Sequence, residues 1–234
     1  MKKISDRIYY TDGFLETDRP VLGLIVGQNR TVMVDSGNSP HHAKDFKKEL
    51  NEHFLPYPDF VVITHSHCDH IFGVQEMDRP TIANHLINQR LKELEQLDWN
   101  EPAISERIEQ GIEHPITKYM LDIEYPGKRE NFIRLPDIVY DKKLELELGT
   151  VHCMLETIGG DHSPDSTVIY IPEEQVMFLG DCLYLRNITE ENVHGLFQKL
   201  LSYDVKFYVD SHKNDVITKG ELESKYQAFL QEAK

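Results

Sequence analysis

The sequence predicts a single α/β domain made of two β-rich halves, each followed by helices. Three observations predict it. Apolar runs of strand length recur along the chain, and several end in a polar or ionisable tip. Segments with a helical apolar period stand between them. No repeat, low-complexity stretch or linker divides the 234 residues, so 1–234 reads as one domain. At 40% apolar and 28% charged residues, such a chain can bury a stable core without disulfides.

The elements follow in order. Ile8-Tyr9-Tyr10, Val21 to Gly27 and Thr31 to Asp35 read as strands, with Gly27-Gln28-Asn29-Arg30 as a hairpin turn. Ser39 and Pro40 start a helix as cap and first residue. Its apolar face is Ala43, Phe46, Leu50 and Phe54, and Pro56-Tyr57-Pro58 ends it. Asp59-Phe60-Val61-Val62-Ile63 is the next strand, Gly73–Met77 a short helix and Thr81-Ile82-Ala83 a further strand. Residues 84–130 carry two helical periods, Leu86, Ile87, Leu91, Leu94, Leu97 and then Ile104, Ile108, Ile112, with a loop at 127–130. This block reads either as an insertion over the site or as a pair of packing helices. From Ile138 the pattern turns to β. Leu144, Leu146 and Leu148 alternate with glutamates, Gly149-Thr150 is a turn, and Val151 to Ile158 returns. Thr167 to Ile171 and Val176 to Leu179 form a hairpin, followed by a Thr189-capped helix near 190–201 and a strand at 206–209. A last helix starts at the capping box Thr218-Lys219-Gly220-Glu221.

The chemistry concentrates in Thr64-His65-Ser66-His67-Cys68-Asp69-His70. Three of the chain's 12 histidines fall within these positions, at the mouth of a strand. Imidazole and carboxylate together suit a borderline transition metal such as zinc. If the chain stays extended after the strand, His65 and His67 point the same way, and a turn at Cys68 sends Asp69 and His70 toward a second point. Later strand ends repeat the theme: His162, Asp181 and His212 each stand just past an apolar run. His41, His42, His85, His114, His152 and His194 lack such a context and read as structural or surface residues.

A net charge of −15 argues against nucleic acid as a partner. No stretch of about 18 apolar residues and no apolar leader occurs, so no membrane segment is expected. Three cysteines at scattered spacings give no disulfide framework, and a cytoplasmic protein with reduced thiols is the expectation. Nothing in the sequence signals an oligomeric state.

Asp35, then His65-x-His67-x-Asp69-His70, then His162, Asp181 and His212, in this order, resembles the metallo-β-lactamase superfamily. The resemblance runs from about residue 8 to 213. It implies a four-layer αββα sandwich with the site at one edge of the sheets, and a helical insertion at about 84–130. It places His65, His67 and His162 on a first metal, Asp69, His70 and His212 on a second, and Asp181 between them. Asp35 matches an aspartate that stands behind the ligands and fixes their loop. With no position substituted, two zinc ions are expected, iron or manganese being the alternatives.

The implied activity is that of a zinc-dependent hydrolase, in which a metal-bridged hydroxide attacks a carbonyl of a small ester, lactone, thioester or amide. Asp69 would also orient the nucleophile and pass its proton to the leaving group. The run from Asp161 to Tyr170, with Val176 to Cys182, is similar to that of zinc β-lactamases. Those enzymes, however, have cysteine where Asp181 stands, arginine at His70 and lysine at Tyr184. A tyrosine three residues after the bridging aspartate is similar instead to the acyl-homoserine lactonases, which implies a substrate-donor role for Tyr184. A packed aromatic is the plainer reading. Two rivals are an iron-dependent oxidoreductase in the same pocket and a non-enzymatic metal-binding protein. Iron reducers of this type carry a carboxylate at His67 and a flavodoxin domain, and neither is present. Trp99, Tyr119 and Met120 are the expected places for substrate contacts within 84–130.

Overall fold

The computed structural model describes residues 1–125, 133–185 and 189–232. A seven-stranded sheet holds, in spatial order, β1 (Lys2–Lys3), β2 (Ile8–Tyr10), β3 (Gly23–Val26), β4 (Thr31–Val34), β5 (Phe60–Val62), β6 (Thr81–Asn84) and β7 (Ile138–Tyr140). Pairing is antiparallel from β1 to β4 and parallel from β4 to β7. A six-stranded sheet contains β8 (Lys143–Glu147), β9 (His152–Thr157), β10 (Thr167–Ile171), β11 (Val176–Phe178), β12 (Phe207–Val209) and β13 (Ile217–Thr218), with β8 and β13 at its edges. In this sheet β11 and β12 run parallel and the other neighbours are antiparallel.

The helices are α1 (Pro40–Glu52), α2 (Cys68–Ile71), α3 (Val74–Met77), α4 (His85–Leu94), α5 (Glu101–Glu109), α6 (Pro115–Glu124), α7 (Glu190–Leu201) and α8 (Lys219–Glu232). The four layers follow from the alternation of side chains along each strand. Val32 and Val34 of β4 enter a core between the sheets, where they join Ile169 and Ile171 of β10. Met33 points the other way and packs with Ala43, Phe46 and Leu50 of α1. Across the second sheet, Val168 and Met177 likewise pack outward with Val193 and Phe197 of α7 and Leu222 of α8. Both faces of these strands are covered, so they read as continuous apolar runs rather than alternating ones.

Helix α1 is capped as expected: Ser39 Oγ accepts from the His42 N–H at 2.9 Å. Burial of Phe46 alone is worth about 1.5–3 kcal/mol. Phe54, expected on the apolar face, is not there. The helix closes at Glu52, Phe54 takes a left-handed φ of 55°, and its side chain is 95% exposed. The capping box at Thr218 forms, with the Thr218 N–H donating to Glu221 Oε2 at 2.7 Å.

Among the described residues, the block after β6 contains three helices rather than two, because Pro115 opens α6 where the apolar period gave no signal. Ile104, Met120 and Leu121 bury their side chains in the outer core of the first sheet. The described part of the block is therefore a packing layer. Trp99 and Met120 lie in that core and are not open to a substrate, whereas Tyr119 is exposed. The loop expected at 127–130 lies outside the described residues. No helix among the described residues is long and apolar enough to cross a membrane.

Candidate metal centre

Strand direction explains why distant residues meet. β4, β5 and β6 are mutually parallel, so the segments after them leave the first sheet at one edge. β9, β11 and β12 also share one direction, since β10 runs antiparallel to both β9 and β11. Asp35 follows β4, the 64–70 stretch follows β5, and His162, Asp181 and His212 follow β9, β11 and β12. The two edges meet where the Thr167 N–H donates to the Thr64 carbonyl at 2.8 Å.

His65, His67 and His162 form one cluster, its donor atoms all within 4.8 Å of one another. His65 Nε2 and His67 Nδ1 are 3.1 Å apart, and His162 Nε2 is 3.1 Å from the former and 3.0 Å from the latter. Asp69, His70, Asp181 and His212 form a second cluster of the same span. His67 ends the extended run and precedes α2, so the chain turns at Cys68 and carries Asp69 and His70 to this second point. Asp69 Oδ2 is 3.0 Å from His70 Nε2 and 3.3 Å from His212 Nε2. Asp181 lies between the clusters. Its Oδ2 is 3.4 Å from His162 Nε2 and 3.3 Å from His212 Nε2, and its Oδ1 is 3.4 Å from His70 Nε2.

Asp35 is buried behind both clusters with a left-handed φ of 58°. A non-glycine residue in that region is uncommon and costs energy that its surroundings must offset. Its carboxylate accepts from the Thr64 N–H at 2.7 Å, from Thr64 Oγ1 at 2.8 Å and from His70 Nδ1 at 2.8 Å. This network assigns tautomers. The Thr64 hydroxyl proton goes to Asp35, so Thr64 Oγ1 accepts from His65 Nδ1, 3.1 Å away. His65 and His70, one from each cluster, are thereby left with Nε2 facing the pocket. Gly180, just before Asp181, has φ +55°, and a Cβ there would come within 2.9 Å of Thr64 Oγ1.

The two clusters differ in electrostatics. Burial pushes the His65 imidazole well below its ordinary range, and burial pushes His162 down to about 4. Both are neutral, with lone pairs to offer. For His212, burial opposes ionisation, but the carboxylates of Asp181 and Asp69 outweigh it and push the pKa up to about 10. His70 is raised well above the ordinary value because Asp69, Asp35 and Asp181 overcome the same burial penalty. Burial likewise works against ionising Asp69 and Asp181, yet the neighbouring histidines hold both well below the usual carboxylate range.

The donor set fits divalent metal ions. His70 Nε2 and Asp181 Oδ1 are buried and make no hydrogen bond of acceptable geometry. His70 has already committed Nδ1 to Asp35, so a bare Nε2 faces carboxylate oxygens that also carry only lone pairs. A proton or a cation is required between them. All seven donors expected from the sequence fall in the two clusters.

Tyr184 stands beside the first cluster, its ring edge-to-face with His162 at 5.5 Å between centroids, and is 46% exposed. Cys68 and Cys182 belong to neither cluster. Sequence reasoning missed three residues. Thr64 carries the tautomer relay. Asn84, fully buried at the end of β6, donates to the Asp165 carbonyl at 2.7 Å and to Thr167 Oγ1 at 2.9 Å, fixing the loop after His162. Asp18, in the loop before β3, has its carboxyl raised to about 6 by burial and then by Asp69 of the second cluster. A polar residue at a strand end signalled Asn84, but nothing local pointed to Asp18.

Residues 19–212 match the sequence profile of the metallo-beta-lactamase superfamily. That span exceeds half of the chain, so the protein belongs to this superfamily. Among solved structures, a metallo-beta-lactamase family protein from Thermus thermophilus is similar over 99% of this chain and 81% of that one, with 15% identity and a TM-score of 0.69. A metallo-beta-lactamase from Pontibacter korlensis is similar over 98% and 97%, with 17% identity and a TM-score of 0.61. A stereoselective inverting sec-alkylsulfatase from a Pseudomonas species is similar over 97% of this chain but 40% of that one, at 15% identity and a TM-score of 0.66. At these identities the likeness shows the fold. No curated protein sequence matches significantly.

Proposed function

We propose that the protein is a metal-dependent hydrolase of small carbonyl compounds: esters, lactones, thioesters or amides. The observation that carries this reading is the position of Asp181, whose carboxylate faces both donor clusters at 3.3–3.4 Å. His65, His67 and His162 would hold one ion and Asp69, His70 and His212 a second, with Asp181 shared and zinc the metal that suits the set. Two such ions supply Lewis acidity and bring the pKa of a bound water toward neutrality.

The chain's own residues do the rest. Asp69 reaches the pocket with Oδ2 and can orient the attacking water and take up its proton for delivery to the leaving group. Asp35 and Thr64 hold the imidazoles of His65 and His70 in the tautomers that present Nε2. Tyr184, exposed beside His162, can donate its hydroxyl to a substrate carbonyl. A β-lactam is the less favoured substrate, because Asp181, His70 and Tyr184 stand where the similar zinc β-lactamases have cysteine, arginine and lysine.

The test combines metal analysis of protein purified without added metal with a panel of lactone, thioester, ester, β-lactam and phosphodiester substrates. Two zinc ions per chain and turnover of a carbonyl substrate are expected, with turnover lost in Asp69→Ala; because Asp69 would also be a ligand, metal content measured on the variant separates loss of proton transfer from loss of the second ion. Iron with thiol or oxygen reactivity would favour the oxidoreductase reading. Full turnover by Asp69→Ala would remove Asp69 from proton transfer.

A further inference from the structure

Asp18 ends the turn between Phe14 and Arg19, with φ 54° and ψ 35°. Its N–H donates to the Leu15 carbonyl at 3.3 Å, and Phe14 and Arg19 exchange backbone bonds of 2.8 and 3.0 Å around it. The loop is tied on three sides. Asn38 Nδ2 donates to the Thr17 carbonyl at 2.7 Å. The Val21 N–H donates to the carbonyl of Ser211, next to His212, at 2.6 Å. The Arg19 guanidinium is held by Glu124 at 2.6 Å and Asp45 at 2.8 Å. Asp18 is thus fixed in place and half-buried, and its carboxylate takes part in no described hydrogen bond or ion pair. Burial raises the Asp18 carboxyl to about 6, and the charges that act on it next are those of Asp69, His212, His70 and Asp181, every member of the second cluster.

We propose that Asp18 sets the charge of the substrate. The pocket takes uncharged or cationic carbonyl compounds and turns away those with a carboxylate, phosphate or sulfate beside the scissile bond. This inference rests on the hydrolase reading above. With two divalent ions bound, Asp35, Asp69, Asp181 and the hydroxide of the proposed mechanism would together balance the four positive charges. Without Asp18 the site is neutral; with it the balance gives way to one excess negative charge that turns anions away. The cations adjoining the site in sequence do not offset it. Arg19 is engaged as described, and Lys213 Nζ is 2.8 Å from Asp210 Oδ2. At an effective dielectric of about 20, one charge close to the pocket changes anion affinity by roughly tenfold.

The test uses metal-loaded protein and two phenyl esters with acyl chains of equal length, one neutral and one ending in a carboxylate. Wild type is compared with Asp18→Asn and with Asp6→Asn, a distant charge removal at a side chain that is 94% exposed. In Asp18→Asn the ratio of kcat/KM for the anionic over the neutral ester rises about tenfold, and in Asp6→Asn it does not. A ratio that stays within about twofold, or that rises equally in Asp6→Asn, overturns the proposal. If neither ester turns over, that outcome bears on the hydrolase reading alone, and inorganic phosphate decides the charge inference. Its Kd for the metal-loaded protein, measured by calorimetry, is then about tenfold lower in Asp18→Asn. An equal Kd, or no phosphate binding by either protein, overturns it. Metal content measured on each preparation separates a change of charge from the loss of an ion.

Discussion

The two donor clusters lie side by side, yet they are built on opposite principles. The first is three imidazoles, with His65 and His162 kept neutral by burial. The second mixes two carboxylates with two histidines that those carboxylates drive toward the charged form. One cluster is ready for a cation, whereas the other holds protons that a cation must displace. The 64–70 stretch thus contributes to two donor environments, and the turn at Cys68 separates its two contributions.

The sharpest way to break this contrast is to remove the residue common to both sides. Asp181→Ala should lower metal content below two ions per chain and reduce turnover by more than the roughly 10–100-fold that outer partners are worth. Metal analysis beside steady-state kinetics checks this, and an unchanged ion count would mean that Asp181 is not shared. Asp35→Ala comes next, because Asp35 orients one histidine of each cluster. Affinity for both ions should fall by roughly 10–100-fold. The metal-free fold should also lose about 3 kcal/mol, since three buried donors lose their acceptor. Urea unfolding in chelator reads the second effect. A loss confined to one ion would break the relay through Thr64.

The pH behaviour separates the clusters directly. For His212, with a folded pKa raised to about 10, stabilisation of the metal-free protein is complete below about 6.5 and is lost as pH rises through 10. His162, lowered to about 4, has the opposite sign: its cost appears as pH falls below about 6.5, where the unfolded chain takes up the proton first. Chelated protein should therefore lose stability on both sides of neutrality. Calorimetry at pH 7 in two buffers of different ionisation heat should show more protons released by ions bound at the second cluster. Equal release by both would erase the distinction. The smallest effect belongs to Tyr184→Phe. Loss of one hydrogen bond of about 0.5–1.5 kcal/mol predicts a fall of roughly two- to thirteenfold in kcat, with metal content unchanged.

Much of this was legible in the sequence. The strand ends carrying His162, Asp181 and His212 could be read because a polar residue after an apolar run is locally conspicuous. The division of the 64–70 stretch followed from a turn at Cys68. Other features depended on contacts between residues far apart in the chain. Asp18 looks like any loop aspartate until Ser211 and Asn38 fix its loop. Thr64 becomes a relay only because Asp35, 29 residues earlier, accepts its proton. Helix α6 was hidden because Met120 and Leu121 enter a core formed by other elements. Phe54 was misplaced because helical periodicity does not reveal where the backbone turns left-handed.

Neither half of the chain owns a complete cluster. The first takes His65 and His67 from one sheet and His162 from the other; the second takes Asp69 and His70 from one and Asp181 and His212 from the other. An ion bound at either place would fasten the sheets together at one rim. Its binding energy would then become cohesion between the halves, about 4 kcal/mol per ion at a free concentration a thousand times its Kd. The melting temperature would thus serve as a gauge of occupancy. A chain cut in the loop between β7 and β8 offers a stricter version, in which its two pieces, still joined by the core between the sheets, would come apart at a lower urea concentration in chelator than in metal.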